Sequence, residues 1–227
     1  MCWNATVSLN TFAFALFTIV LAKINDYNHY PLTVYLFYLS FATMQLLEGL
    51  VWLTLNRTRW NVALSVATLT LILLQPVASL MTIEKRKDLR SKLLVAYGAF
   101  VVVLLAWALL TISMDFRMVP APNGHLEWKW LTQILETPVG LSLFAVWFLF
   151  FILPSALNGS IIAFACIAFT CAASLFTFYQ ARTFGSLWCW VSNVVFVAIM
   201  LDMLFLQPCM KPYMNPSMKP YMKSMIP

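Results

Sequence analysis

The apolar residues of this chain fall into seven blocks, each long enough to cross the hydrocarbon core of a bilayer as a helix and each separated from the next by a polar break. Backbone in lipid must satisfy its own hydrogen bonds, so only helices and closed barrels span a membrane. The chain therefore reads as all-α: a polytopic membrane protein with a seven-transmembrane-helix bundle over residues 1–207 and a basic tail over 208–227. Composition agrees. The hydrophobic fraction is 62%, only 10% of the residues are charged, and the mean hydropathy is +0.83, whereas a soluble domain carries about 25% charged residues. Seven spans of about 20 residues leave the 227-residue chain no room for a second domain.

The spans run from about Thr6 to Ala22, Pro31 to Leu55, Trp60 to Ile83, Leu93 to Ile112, Pro138 to Leu153, Ser160 to Tyr179 and Phe184 to Leu206. Only Pro154, Ser155, Asn158, Gly159 and Ser160 divide the fifth from the sixth, and Pro and Gly there favour a tight helical hairpin. The first span has no basic region before it and no small-residue cleavage pattern after it, so it is expected to stay in the membrane.

Orientation follows from the basic residues. Alternating the spans puts Arg57, Arg59, Arg117, Lys129 and Arg182 on one side. Lys23, Lys85, Arg86, Lys87, Arg90, Lys92, Lys211, Lys219 and Lys223 fall on the other. The richer side is expected to be cytoplasmic, with the N-terminus outside and the C-terminus inside. Sequons at Asn4 and Asn56 fall on the expected outer side, and a third at Asn158 on the inner side.

Glu48 is the most chemically suggestive residue. An acid at the centre of a span costs about 2.5 to 3.5 kcal/mol, so it faces the bundle interior, finds a partner or stays protonated. Gln45, Glu48 and Trp52 share one helical face, and Gly49 permits close approach of a neighbouring helix. One reading makes Glu48 a proton or cation site oriented by Gln45; the other makes it a protonated carboxyl that joins helices. Asn193 and Gln75 are its expected partners. Asp202 lies within a turn of the inner end of the last span, where a solvated interfacial role is expected.

Trp52, Trp60, Trp188 and Trp190 map near the outer boundary, where indole rings anchor. The segment from Asp115 to Thr137 is expected to form, from Leu126 onwards, an amphipathic helix on the outer surface, with a lid over a cavity as the alternative. Cys166, Cys171 and Cys189 read as small apolar residues. Cys209, beside Lys211, suits palmitoylation, and Cys2 has no evident partner. The tail repeats Met-Lys-Pro-Tyr-Met at 210–214 and 218–222; Lys211, Lys219 and Lys223 there suit anionic lipids or a protein partner.

No phosphate-binding glycine loop, His and Cys metal cluster or nucleophile elbow occurs in the sequence, so no enzyme, metal or cofactor is expected. The last span holds no lysine for a retinal Schiff base. The net charge of +6 reflects loops and tail, with the lipid bilayer rather than nucleic acid as the partner.

The opening Met1-Cys2-Trp3 with Ser8, together with Gln45, Glu48 and Trp52, resembles a family of uncharacterised multi-span membrane proteins from large DNA viruses of algae and protists. The resemblance covers mainly the first quarter of the chain. It implies a membrane protein of unassigned activity, carried in a viral inner membrane. The residues themselves point to a transporter or channel using Glu48, against a non-catalytic membrane component whose loops or tail recruit partners.

Overall fold

The computed structural model describes residues 4–206; Cys2, Cys209, Lys211, Lys219, Lys223 and the tail repeat lie outside the described residues, as does the side chain of Trp190. The helices are α1 (Ala5–Ile24), α2 (Leu32–Thr54), α3 (Thr58–Met81), α4 (Lys87–Thr111), a short α5 (Lys129–Leu135), α6 (Pro138–Leu157), α7 (Ile161–Phe178), α8 (Phe184–Ser192) and α9 (Val194–Leu201). A hairpin of β1 (Met118–Pro120) and β2 (Leu126–Trp128) precedes α5. Local chemistry sets several starts: the Asn4 side chain accepts from the Val7 N–H at the head of α1, and the Thr137 hydroxyl accepts from the Gly140 N–H at the head of α6.

Among the described residues six stretches are long and apolar enough to cross a membrane, namely α1, α2, α3, α4, α6 and the run Phe184–Phe205. The largely helical architecture built from apolar helices of membrane-crossing length, expected from the sequence, is therefore present. The count of seven is not reached among the described residues, where α7 contributes the shorter apolar run Phe164–Phe178. The last expected span is also not one continuous α-helix: it breaks at Asn193 and ends in a π-helical turn, Asp202–Leu206.

Helices α1 and α2 form the closest antiparallel pair, and the reason is a seven-residue spacing of small side chains. A Cβ on Gly49 would lie 2.9 Å from the Leu9 side chain and 3.5 Å from that of Ser8. At the other end of the pair the Tyr35 hydroxyl donates to the Ala22 carbonyl at 3.2 Å. Between these contacts Ala15 and Ala42, seven residues from each neighbour, fall opposite one another, and both are fully buried. Repeating at seven residues keeps one seam facing the partner helix, and small residues let the backbones approach.

Helices α3 and α6 each carry an internal proline, Pro76 and Pro154. Proline has no N–H for the carbonyl four residues back and opens the helix around it. In α3 the carbonyl so released is Ile72, and the Trp147 indole N–H of α6 donates to it at 3.2 Å. The next carbonyl, Leu73, accepts the Tyr97 hydroxyl of α4 at 2.6 Å. Reciprocally, the Ser79 hydroxyl of α3 donates to the Phe151 carbonyl, one turn before Pro154, at 2.7 Å. Trp147 stacks on Phe151, and Trp188 and Phe184 complete that aromatic cluster. Trp188 is therefore buried in the core and is not the boundary anchor expected from sequence; ring packing holds it inside. Trp60 is exposed.

The segment between α4 and α6 also departs from expectation. It is a hairpin followed by one short helix, and it packs inward instead of lying on the surface as an amphipathic helix: Leu126, Trp128 and Trp130 are buried. Gly185 explains the docking, since a Cβ there would come within 2.7 Å of the Trp128 ring and 2.8 Å of Leu131. The turn has its own signal in Pro122-Asn123-Gly124: Gly124 takes φ +77° and the Asn123 side chain accepts from the His125 N–H.

Two outcomes follow. Trp147→Phe should cost about 1–3 kcal/mol by leaving the Ile72 carbonyl without its donor. It should cost less in a Pro76→Ala background, where a backbone N–H returns, as a double-mutant cycle of thermal unfolding in detergent will show. Burial holds the His125 imidazole below its ordinary pKa. The unfolded chain then gains a proton first as pH falls below about 6.5, so stability should drop on acidification and level off below the folded value. Melting curves between pH 7.5 and 5 should show a smaller drop for His125→Gln.

Candidate functional site

Glu48 and Gln45 lie on the α2 face turned into the bundle, both with no exposed surface. The Gln45 Nε2 donates to the Glu48 Oε2 at 3.3 Å, the i, i+3 contact that the helical spacing requires. Glu48 is one residue from Gly49, so the tight α1 crossing closes the site on that side, and Ser8 sits fully buried beside it. Trp52, one turn further along, is half-buried.

Of the other expected site residues, neither Gln75 nor Asn193 bonds Glu48. The Asn193 amide donates to the Cys189 carbonyl of its own helix at 2.6 Å, and the Gln75 Nε2 has no partner among the described residues. Helical rise explains both. Because α3 runs back from Thr58, Gln75 is about 16 Å further along the bundle axis than Glu48, at 1.5 Å per residue. Tyr38 of α2 meets Phe196 of α9; ten residues along each helix from that contact, Glu48 comes level with Ser186, a buried hydroxyl, and not with Asn193.

Sequence reading missed much of the polar interior. Asn61, Ser65, Thr68, Gln75 and Ser79 form a buried stripe on one face of α3, and their spacing of three, four and seven residues is the signal that could have revealed it. The stripe reaches the hairpin end of the bundle, where Asn61 clamps Met118 through both backbone groups, donating to its carbonyl and accepting from its N–H, each at 2.9 Å. Ser65 sits one turn below, 3.5 Å from the Asn61 Oδ1.

Asp202 is at the opposite end and does not join Glu48. It is half-buried and accepts the Tyr27 hydroxyl at 2.7 Å, a partner from the α1–α2 connection that the interfacial reading lacked. Burial, and then this bond, push the Tyr27 phenol well above its ordinary pKa. Near it the connection from α1 to α2 holds Asp26, Asn28 and His29 at positive φ, with the His29 Nδ1 2.6 Å from the Asp26 carboxylate.

A second polar feature was not expected. A cleft of about 270 Å³ opens between α5 and the α7–α8 connection, walled by Trp128, Leu131, Leu135, Tyr179 and Phe184. At its mouth Arg182, itself at φ +59°, pairs with Glu136 at 2.8 Å and reaches Glu127 at 4.0 Å. Among the described residues no group of three or more His, Cys, Asp or Glu side chains is placed to hold a metal ion. Cys171 and Cys189 are buried and Cys166 is exposed, none of the three in a disulfide.

Comparison with family models, with curated proteins and with solved structures finds no match to this chain.

Asn61→Ala should remove both Met118 bonds and cost about 1–3 kcal/mol for each buried group left unpaired. Hydrogen exchange of residues 118–128 should quicken while the α1–α2 amides keep their protection.

Proposed function

We propose that this integral membrane protein moves a proton or small cation, with Glu48 as the protonatable site and Gln45 as its positioning partner. The observation that carries the proposal is a carboxyl with no exposed surface, held by Gln45 inside a multi-helix apolar bundle. An ionisable group in that setting is costly and marks a pathway more often than a surface. Buried hydroxyls at Ser8, Ser65 and Thr68 supply a polar lining around the same depth. The conformation is occluded, because neither Glu48 nor Gln45 reaches solvent.

The proposal takes α7 as a seventh span. Its 18 residues extend about 27 Å at 1.5 Å per residue, close to the roughly 30 Å hydrocarbon core. It starts beside Ser155, next to Asn158, which bonds Thr82 after α3. It ends where the Tyr179 hydroxyl donates to Leu135, so it joins opposite faces of the bundle. On the charge count, the face with the 82–92 connection is cytoplasmic and the hairpin face is outside. Lys211, Lys219 and Lys223 are assigned to anionic lipid or a protein partner on the cytoplasmic side.

A second reading has its own observation. Glu48 is next to Gly49, where the α1–α2 crossing leaves no space for a side chain against Leu9, which favours a carboxyl that fixes helix packing in a structural or recruiting membrane component, such as one of a viral inner membrane.

Proton and cation flux in proteoliposomes decides between them. Wild-type flux lost in Glu48→Gln, with folding intact, is the outcome expected of a transport site. No flux in either protein, with both folded, would leave the structural reading.

A further inference from the structure

The corner between α3 and α4 is the most basic surface of the described chain. Lys85, Arg86, Lys87, Arg90 and Lys92 stand against only Glu84 and Asp88 between residues 84 and 92. Lys85, Arg86, Lys87 and Lys92 are exposed. Among the described residues no carboxylate pairs with any of the five. Arg90 is half-buried, and its guanidinium reaches the Ile83 carbonyl at 3.4 Å, which ties the start of α4 to the end of α3.

Directly beyond this cluster α4 is the least covered of the long helices, with only Tyr97 and Ala108 buried. One exposed face carries Lys92, then Val95, Ala99, Val102, Ala106 and Leu109, at helical spacings of three and four. Val95 is 75% exposed, Val102 67% and Leu109 69%. Gly98 adds open space, with nothing within 4 Å of where its Cβ would be. A cation therefore terminates an apolar stripe about 21 Å long, by helical rise, which exceeds the length of one leaflet's hydrocarbon.

We infer that this corner is a binding site for an anionic phospholipid, its headgroup held by Lys85, Arg86, Lys87 and Lys92 and its acyl chains lying along the exposed α4 stripe. Charge complementarity selects the occupant. Unpaired basic residues at the end of a lipid-facing helix attract anionic headgroups, each contributing about a fivefold gain near the surface, and the stripe offers an acyl chain the apolar contact that free phosphate cannot use. Neither the transport reading nor the side of the membrane enters this inference.

The test uses the full chain in detergent, with retained lipid read by native mass spectrometry in phosphatidylglycerol and in phosphatidylcholine. Wild-type protein should prefer phosphatidylglycerol, and the preference should weaken with added salt. A variant with Lys85→Gln, Arg86→Gln, Lys87→Gln and Lys92→Gln should lose at least tenfold of it. A tail variant, Lys211→Gln, Lys219→Gln and Lys223→Gln, should keep it. Inorganic phosphate at matched concentration should not compete. The inference is overturned if the wild type shows no preference at low salt, if the corner variant keeps it, if only the tail variant loses it, or if phosphate competes equally. Should the corner variant not fold, the wild-type preference and the phosphate competition decide alone.

Discussion

A backbone group released inside a bilayer has no water to turn to, and that constraint organises the centre of this bundle. Pro76 and Pro154 each open a helix that packs against the other. At the α3 proline the donor comes from across the interface, where Trp147 of α6 bonds the released Ile72 carbonyl. A second bond runs the other way, from Ser79 of α3 to the Phe151 carbonyl three residues before the α6 proline, so the two helices are tied together on both sides of their kinks. Tyr97 extends the arrangement to α4, which has few other buried residues and is held to the bundle at this point. The aromatic cluster around Trp147 follows from the same demand, because the indole must be pinned for its N–H to reach Ile72.

The second constraint is close packing at α1 and α2. Small residues at seven-residue spacing bring the two backbones together, and at Gly49 a side chain would collide with Leu9. Glu48 is adjacent to it, so the feature that fixes the pair lies one residue from the buried carboxyl. On the side of α3 and α8, Ser65, Thr68 and Ser186 are buried at about its depth.

How much of this was legible in the sequence depends on the scale of the signal. Runs of apolar residues identified the helices, since bilayer thickness forces length, and the i, i+3 spacing of Gln45 and Glu48 was enough to pair them. Partners across the bundle were not legible: Gln75 and Asn193 have suitable chemistry, yet helical rise and antiparallel direction put them at other depths. Trp188 looked like an anchor because position near a boundary says nothing of ring stacking. The hairpin was hidden by reading the segment from Leu126 onwards as an amphipathic helix, although Pro122-Asn123-Gly124 already contained its turn. The cleft at Arg182 depends on tertiary docking at Gly185, for which no local pattern exists.

The polar stripe of α3 is interrupted at one level. Between Thr68 and Gln75 the same face presents Ile72, and its carbonyl is already occupied by Trp147. Thr68 and Gln75 are therefore about 10 Å apart along the axis, at 1.5 Å per residue, with an apolar side chain and a tryptophan between them. The interior divides into a polar half around Glu48, continuous with Asn61 and the hairpin, and a second polar level at Gln75 and Ser79. The proline kink separates the two levels, because the Trp147 donor that satisfies the Ile72 carbonyl lies between them. At the second level the Ser79 hydroxyl ties α3 to α6 through the Phe151 carbonyl, so the same pair of prolines that opens the two helices also marks where the polar interior is divided.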